Sequence, residues 1–271
     1  MKPMLAACLC ALLLLSIMST AQEAAKTKST DAAPNSMKGA YSMLAQKLNI
    51  DGKDSILSVQ QFKIYTDRHF MYAHNLPGDS LGAFGIGTYR VQNGKVIESP
   101  FYTSSGPTQD TFELAINKTA EGYSQVINFP PDSLGRKYVL TEDYRNASRN
   151  VSTPLDGAWK MIRVTFHPQN GNPVVVNDII QYKVYQSGNV IWANSYLDSA
   201  TQRRATAFGF GSFKMNGANQ AVETIAQSTY RTALEDQSIT LQLKFDGKNR
   251  YQQTIVGPNG SKQIEEYERL Q

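Results

Sequence analysis

Short runs of alternating apolar and polar residues fill most of the chain, separated by Asn-Gly, Asp-Gly, Pro-Gly and Pro-Asn-Gly turn sequences. A period of two, enriched in β-branched and aromatic residues, predicts β-strands. In the second half, eight are expected, near Ala158–Phe166, Val174–Tyr185, Asn189–Ser195, Ala205–Met215, Gln220–Ser228, Ser238–Phe245, Arg250–Val256 and Lys262–Arg269. The connections are short and contain no convincing crossover helix, so the sheet should be antiparallel and meandering.

The first half carries the same pattern. Gly39-Ala40-Tyr41-Ser42-Met43 returns as Gly157-Ala158-Trp159-Lys160-Met161, and Gln61-Phe62-Lys63-Ile64-Tyr65 as Gln181-Tyr182-Lys183-Val184-Tyr185. Ala83-Phe84-Gly85-Ile86-Gly87-Thr88-Tyr89 returns as Ala207-Phe208-Gly209-Phe210-Gly211-Ser212-Phe213. The spacing is about 120 residues and drifts upward as loops lengthen, which marks a duplicated domain rather than a solenoid unit. Eight antiparallel strands in ~115 residues can close into a barrel with no open edge and room for one small ligand, whereas a sandwich usually needs longer connections. The expected fold is therefore all-β: two tandem eight-stranded up-and-down barrels, at 39–149 and 155–271, joined by a linker at Asn150–Pro154.

Facing excludes an outer-membrane barrel, which needs one whole lipid-facing side of each strand to be apolar. Gln61, Lys63, Gln181 and Lys183 share one face while Phe62, Ile64, Tyr182 and Val184 share the other, and the apolar face is expected to be the inner one.

The 271 residues are too many for one small domain, and with 41% hydrophobic and 18% charged residues the chain can bury a core. Met4 to Met18 is an apolar run behind a short positive start, with Ser19-Thr20-Ala21 as a cleavage site, so residues 1–21 read as a signal peptide and 22–38 as a flexible leader. The run is shorter than the ~20 residues of a spanning helix, and Cys8 stands too early in it for a lipoprotein. Both cysteines, Cys8 and Cys10, fall in the removed segment, leaving no disulfide, thiolate metal site or thiol nucleophile. The net charge of +4 comes without a long basic run, which argues against nucleic acid. A secreted or periplasmic location follows, with no membrane span after processing. Asn117, Asn146, Asn150 and Asn259 begin glycosylation triplets, which have no force in a bacterial protein.

Gly157-Ala158-Trp159 in a first strand and Arg269 at the end of the last resemble the lipocalin and calycin signature. The resemblance implies that the Arg packs over the Trp and closes the barrel base, a cation–π contact of roughly 0.5–2 kcal/mol. The first repeat has Tyr41 in place of the Trp, with Arg145 as candidate partner. The Gly-x-Gly-Thr-Tyr run, the following Glu-bearing strand and the closing Glu265-Glu266-Tyr267-Glu268-Arg269 look like the secreted lipocalin-like domains of Bacteroidetes-type bacteria, over most of 39–271. Such domains imply a cavity for a small, partly apolar molecule and little about reaction chemistry.

Glu98 and Glu223 match between repeats and, if inward, would be ligand anchors or acid–base groups; solvent-facing or framework carboxylates are the alternative. Phe62, Tyr72 and Phe84, with Tyr182, Trp192, Phe208 and Phe210, are the inward aromatic candidates, as ligand wall or packed core. His69 and His74 should lie on opposite strand faces, and His74 and His167 at loop rims, so no metal site is expected. Arg203 and Arg204 are exposed mouth residues that could meet an anion. No nucleophile elbow or phosphate loop occurs; the two Gly-x-Gly runs read as strand bends or close backbone approaches, and no cofactor is expected. The function expected is non-catalytic binding of a small hydrophobic or amphipathic molecule in a barrel interior. The alternatives are an enzyme using an inward Glu, or a packed interaction module without ligand.

Overall fold

The alternating runs pair into two closed sheets. The computed structural model describes residues 36–75, 82–198, 200–230 and 234–271; the expected signal peptide and most of the expected leader lie outside the described residues. The first repeat forms β1 (Gly39–Ile50), β2 (Lys53–Leu57), β3 (Gln60–Tyr65), β4 (His69–Asn75), β5 (Gly82–Gln92), β6 (Lys95–Thr103), β7 (Gly106–Pro107), β8 (Phe112–Lys118), β9 (Gly122–Phe129) and β10 (Tyr138–Asn146). The second forms β11 (Gly157–His167), β12 (Val174–Val176), β13 (Ile180–Gln186), β14 (Asn189–Asp198), β15 (Arg203–Met215), β16 (Gln220–Ser228), β17 (Ser238–Asp246), β18 (Arg250–Val256) and β19 (Lys262–Arg269). All pairings are antiparallel; β10 returns to β1 and β19 to β11, so two eight-stranded barrels close, with β2, β7 and β12 as short additions. The strand expected over Val174–Tyr185 is broken between β12 and β13, where Asp178 takes a left-handed φ of 65°.

At one end of the second barrel Arg269 packs on Trp159. The Arg269 guanidinium lies 4.0 Å from the centre of the Trp159 ring and donates to the Asp156 and Pro154 carbonyls at 2.6 and 3.0 Å. Trp159 Nε1 donates to the Leu155 carbonyl at 2.7 Å. Gly157 is required here: its φ is 138°, and a Cβ would stand 2.0 Å from Arg269 Nη1. The first barrel repeats the plug with Tyr41, whose hydroxyl donates to the carbonyl of fully buried Met37 at 3.1 Å. Met37 thus packs, although it falls in the expected leader. Arg145 is not the partner of Tyr41. It pairs in register with Ser42 and is exposed, while Asn146 takes the place opposite Tyr41, because a shift of one residue along a strand turns the side chain to the other face.

The expected facing is reversed. Gln61, Lys63 and Tyr65 point into the first barrel, bonded there to Tyr144 and Glu98. Phe62, Phe84, Tyr182, Phe208 and Phe210, expected inside, belong with Ile64, Met71 and Val184 to one buried cluster drawn from both barrels. Phe62 stacks on Phe210 with ring centres 5.4 Å apart and planes 11° apart, and Tyr102 meets Tyr182 at 5.7 Å. Each barrel therefore turns an apolar outer face to the other: β3 packs on β13 and β14, β4 on β14, β11 and β15, and β5 on β15. Asn75 Nδ2 donates to Gln227 Oε1 at 2.8 Å near one end of this seam, and Asn189 Nδ2 to the Ala147 carbonyl at 3.0 Å near the other. The end of each barrel away from its plug, the end nearer the Asn75–Gln227 contact, is termed its mouth.

Phe62→Ala and Phe210→Ala should each cost about 3–5 kcal/mol in urea unfolding. The two rings stack on each other, so the double variant should cost less than the sum. Fully additive losses would show that the seam does not couple the barrels.

Candidate functional site

Because β3 and β13 turn their polar residues inward, each barrel interior holds a hydrogen-bonded array. In the first, Lys63 Nζ lies 2.7 Å from Glu98 Oε1, which also accepts the Tyr65 hydroxyl. Further round the wall, Gln61 Nε2 donates to the Tyr144 hydroxyl, which donates to Glu142 Oε2 at 2.8 Å; Gln46 and Gln125 donate to the same carboxylate. The second barrel repeats it. Lys183 Nζ reaches the two Glu223 oxygens at 3.0 and 3.3 Å and Gln253 Oε1 at 3.3 Å, and the Tyr185 hydroxyl donates to Glu223. Gln181 Nε2 donates to the Tyr267 hydroxyl, which donates to Glu265; Gln253 Nε2 donates to Glu265 Oε2 at 2.7 Å.

Burial, then the neighbouring carboxylates, push the Tyr65 and Tyr185 hydroxyls well above the ordinary phenol range, so both serve as hydrogen-bond donors. Burial also raises the Glu142 carboxyl, against the charge of Lys63. Rings fill the space around these groups: Tyr41 packs edge-on to Tyr123, which stacks on Tyr144, and Trp159 packs edge-on to Tyr251, which stacks on Tyr267.

Four of the nine ligand-wall candidates face inward. Glu98 and Glu223 are the buried ion-pair carboxylates. Tyr72 and Trp192 occupy matching inward positions on β4 and β14, beside Gly85 and Gly209 in register. A Cβ on Gly85 would stand 2.6 Å from the Tyr72 ring and one on Gly209 2.7 Å from the Trp192 ring, so the first glycine of each Gly-x-Gly admits a flat aromatic laid across its strand. The other five candidates, Phe62, Phe84, Tyr182, Phe208 and Phe210, lie in the seam and not at a barrel interior. His69 and His74 take opposite faces, as expected. Arg204 Nη1 donates to the Ser195 carbonyl at 3.2 Å, holding mouth backbone. Among the described residues no group of three His, Cys, Asp or Glu could hold a metal ion.

Buried atoms without a hydrogen bond occur at the mouths, and also deeper in the arrays, as at Gln125 Oε1. On β14, Asn194 stands two residues beyond Trp192 on the same inward face; its Nδ2 donates to Gln181 Oε1 at 3.2 Å, while its buried Oδ1 has no hydrogen bond. His74 holds the matching position on β4, opposite Gln61; its Nδ1 is likewise buried and unpartnered, although part of the ring is exposed. Burial lowers the His74 imidazole to about 4, so that nitrogen is an acceptor or donor of a neutral ring at pH 7. A separate groove of about 180 Å³ lies beside the β11 bulge under β12, lined by Met161, Arg163, Val175 and Asp178 among others; none of the nine candidates lines it.

The sequence reading missed Lys63, Lys183, Gln61, Gln181, Glu142, Glu265 and Asn194. A signal was present: between repeats the inward Gln, Lys and Tyr recur identically, while the outward neighbours change from Phe to Tyr and Ile to Val.

No protein-family model matches the chain, and no curated protein matches it. Among solved structures it is similar to a redesigned β-barrel, 15% identical with a TM-score of 0.29 over 44% of this chain and 93% of that one. It is also similar to a protein of unknown function of the DUF3598 family from Nostoc punctiforme, 12% identical with a TM-score of 0.28 over 86% of this chain and 96% of that one.

Lys183→Met should cost about 3–5 kcal/mol by stranding the Glu223 charge, and the double variant Lys183→Met with Glu223→Leu should recover most of it in chemical denaturation. The His74 ring gives a pH signature. Its folded value lies below the unfolded one, so its stability contribution is present above pH ~6.5 and is lost as pH falls toward ~4, about 3 kcal/mol in all. Denaturation of wild type and His74→Phe between pH 7 and 4 should show the wild type alone carrying this slope; parallel curves would refute it.

Proposed function

We propose that the protein is a secreted or periplasmic, non-catalytic binding protein that takes a small amphipathic molecule at the mouth of a barrel. One observation carries this reading: a hydrogen-bonded chain runs from Glu265 through Tyr267 and Gln181 to Asn194, and its outer end is a buried acceptor without a partner. An unsatisfied buried acceptor costs about 1–3 kcal/mol, which a ligand donor recovers on binding. Trp192 supplies an apolar face beside it, and the polar end and flat wall together suit an amphipathic guest. The lipocalin-like resemblance of the Gly-x-Trp and closing Arg pattern supports the same class of activity.

The deeper interior, filled by tyrosine rings and ion pairs, favours a second reading, a ligand-free interaction module. Native mass spectrometry of the protein purified from its host, with thermal shifts across a lipid and metabolite panel, separates the two. Binding predicts an adduct mass or a ligand that raises stability by about 2.7 kcal/mol at one hundred times its Kd. A clean apo mass and unchanged melting across the panel select the module.

A further inference from the structure

The two barrel mouths differ at Tyr72 against Trp192, at His74 against Asn194 and at Ser105 against Tyr230, and the last difference bears on what the second mouth could hold. Trp192 lies in the second barrel with its ring stacked on Tyr230, centres 6.2 Å apart and planes 18° apart. Tyr230 follows β16, is 40% exposed, and is held through its backbone N–H to Ser228 Oγ at 3.0 Å. Thr229 N donates to the Phe208 carbonyl just as Ser104 N donates to the Phe84 carbonyl, which fixes Ser105 as the residue matching Tyr230 in the first barrel. The fold of this turn therefore does not require an aromatic ring there. A phenol at position 230, hydrogen-bonded to Tyr196, lies parallel to and offset from the indole as a separate feature of the second barrel.

The rest of the slot is built from the strand. Trp192, Asn194 and Tyr196 form one inward column on β14, and residues two apart on a strand are separated by on the order of 7 Å. A planar bicyclic molecule lying on the indole spans that distance and brings a hydroxyl or N–H to Asn194 Oδ1, the buried acceptor that lacks a partner. We infer that the second barrel's mouth is a binding slot for a planar aromatic molecule bearing one hydrogen-bond donor, and that Tyr230 is its built-in occupant, displaced when the ligand stacks on Trp192 and donates to Asn194. The inference rests on the binding function proposed above and gives it a ligand class and a place. Tyr230 competes with the ligand for one face of one ring, so its removal strengthens binding, the opposite of what loss of a wall residue does.

The chain contains two tryptophans, Trp159 at the plugged base and Trp192 at the mouth, so a ¹⁵N spectrum holds two indole signals, assigned by a Trp192→Phe variant. Titration with 2-naphthol, and with 2-methoxynaphthalene, which keeps the rings but lacks the donor, reads both parts of the slot. The expected result is a shift of the Trp192 signal with naphthol while Trp159 stays in place, and about tenfold weaker binding of the ether. Tyr230→Ser, which installs the residue of the first barrel, should tighten naphthol binding about fivefold. Asn194→Leu should abolish the preference for naphthol over its ether. Equal affinities of Tyr230→Ser and wild type, an unmoved Trp192 signal, or no naphthol binding to Tyr230→Ser would each overturn the slot. The wider binding function then stands or falls separately, on whether any compound of the lipid and metabolite panel binds.

Discussion

The apolar seam between the barrels is the contact on which the rest of the molecule depends. A strand shows its side chains alternately to two faces, and β3 and β13 have buried residues on both. Once Phe62, Ile64, Tyr182 and Val184 are buried against the other barrel, Gln61, Lys63, Gln181 and Lys183 have only the barrel interior left to them. The seam thus forces an ammonium and its carboxylate partner into the middle of each barrel. The Gln and Tyr residues that satisfy the remaining lone pairs follow from the same requirement, because a buried ion is tolerated only when it is paired and hydrogen-bonded.

This inverted arrangement separates two tasks that small barrels usually combine. Cohesion between units comes from the outside, through Phe62, Phe84, Phe208 and Phe210, while the inside is a stiff polar frame crossed by tyrosine rings. A frame of this kind holds Asn194 and Trp192 in fixed positions at the mouth, since each is tied to the wall by a strand pairing and Asn194 also by Gln181. Side chains carried on strands are held more firmly than those on loops.

Most of the strand plan was legible in the chain. Gln220–Ser228, Arg250–Val256 and Lys262–Arg269 follow their alternation to the residue, and the duplication was plain from Gln61–Tyr65 against Gln181–Tyr185. The direction of each face was not legible, because alternation gives two sets and not their orientation; a burying partner outside the barrel reverses the usual assignment. Arg145 failed for a related reason, as one step in register separates it from the position facing Tyr41. The mouth acceptors could not be read at all: an unpartnered Asn194 Oδ1 is a property of its surroundings and leaves no mark in local sequence.

The counterpart-to-counterpart meeting of β3 with β13, β4 with β14 and β5 with β15 has a consequence of its own. The same apolar face of each repeat is used, but the pairing is not a strict two-fold one, because β3 also packs on β14 more extensively than β4 does on β13. The peptide from Ala147 to Leu155 adds contacts as well as proximity: the Ala147 carbonyl accepts Asn189, the Arg149 N–H donates to the Ser187 carbonyl, and the Pro154 and Leu155 carbonyls hold Arg269 and Trp159, while the covalent joint fixes the ratio of the halves at one to one. Because the halves share one chain, each mouth can carry its own residues, as Tyr230 against Ser105 shows.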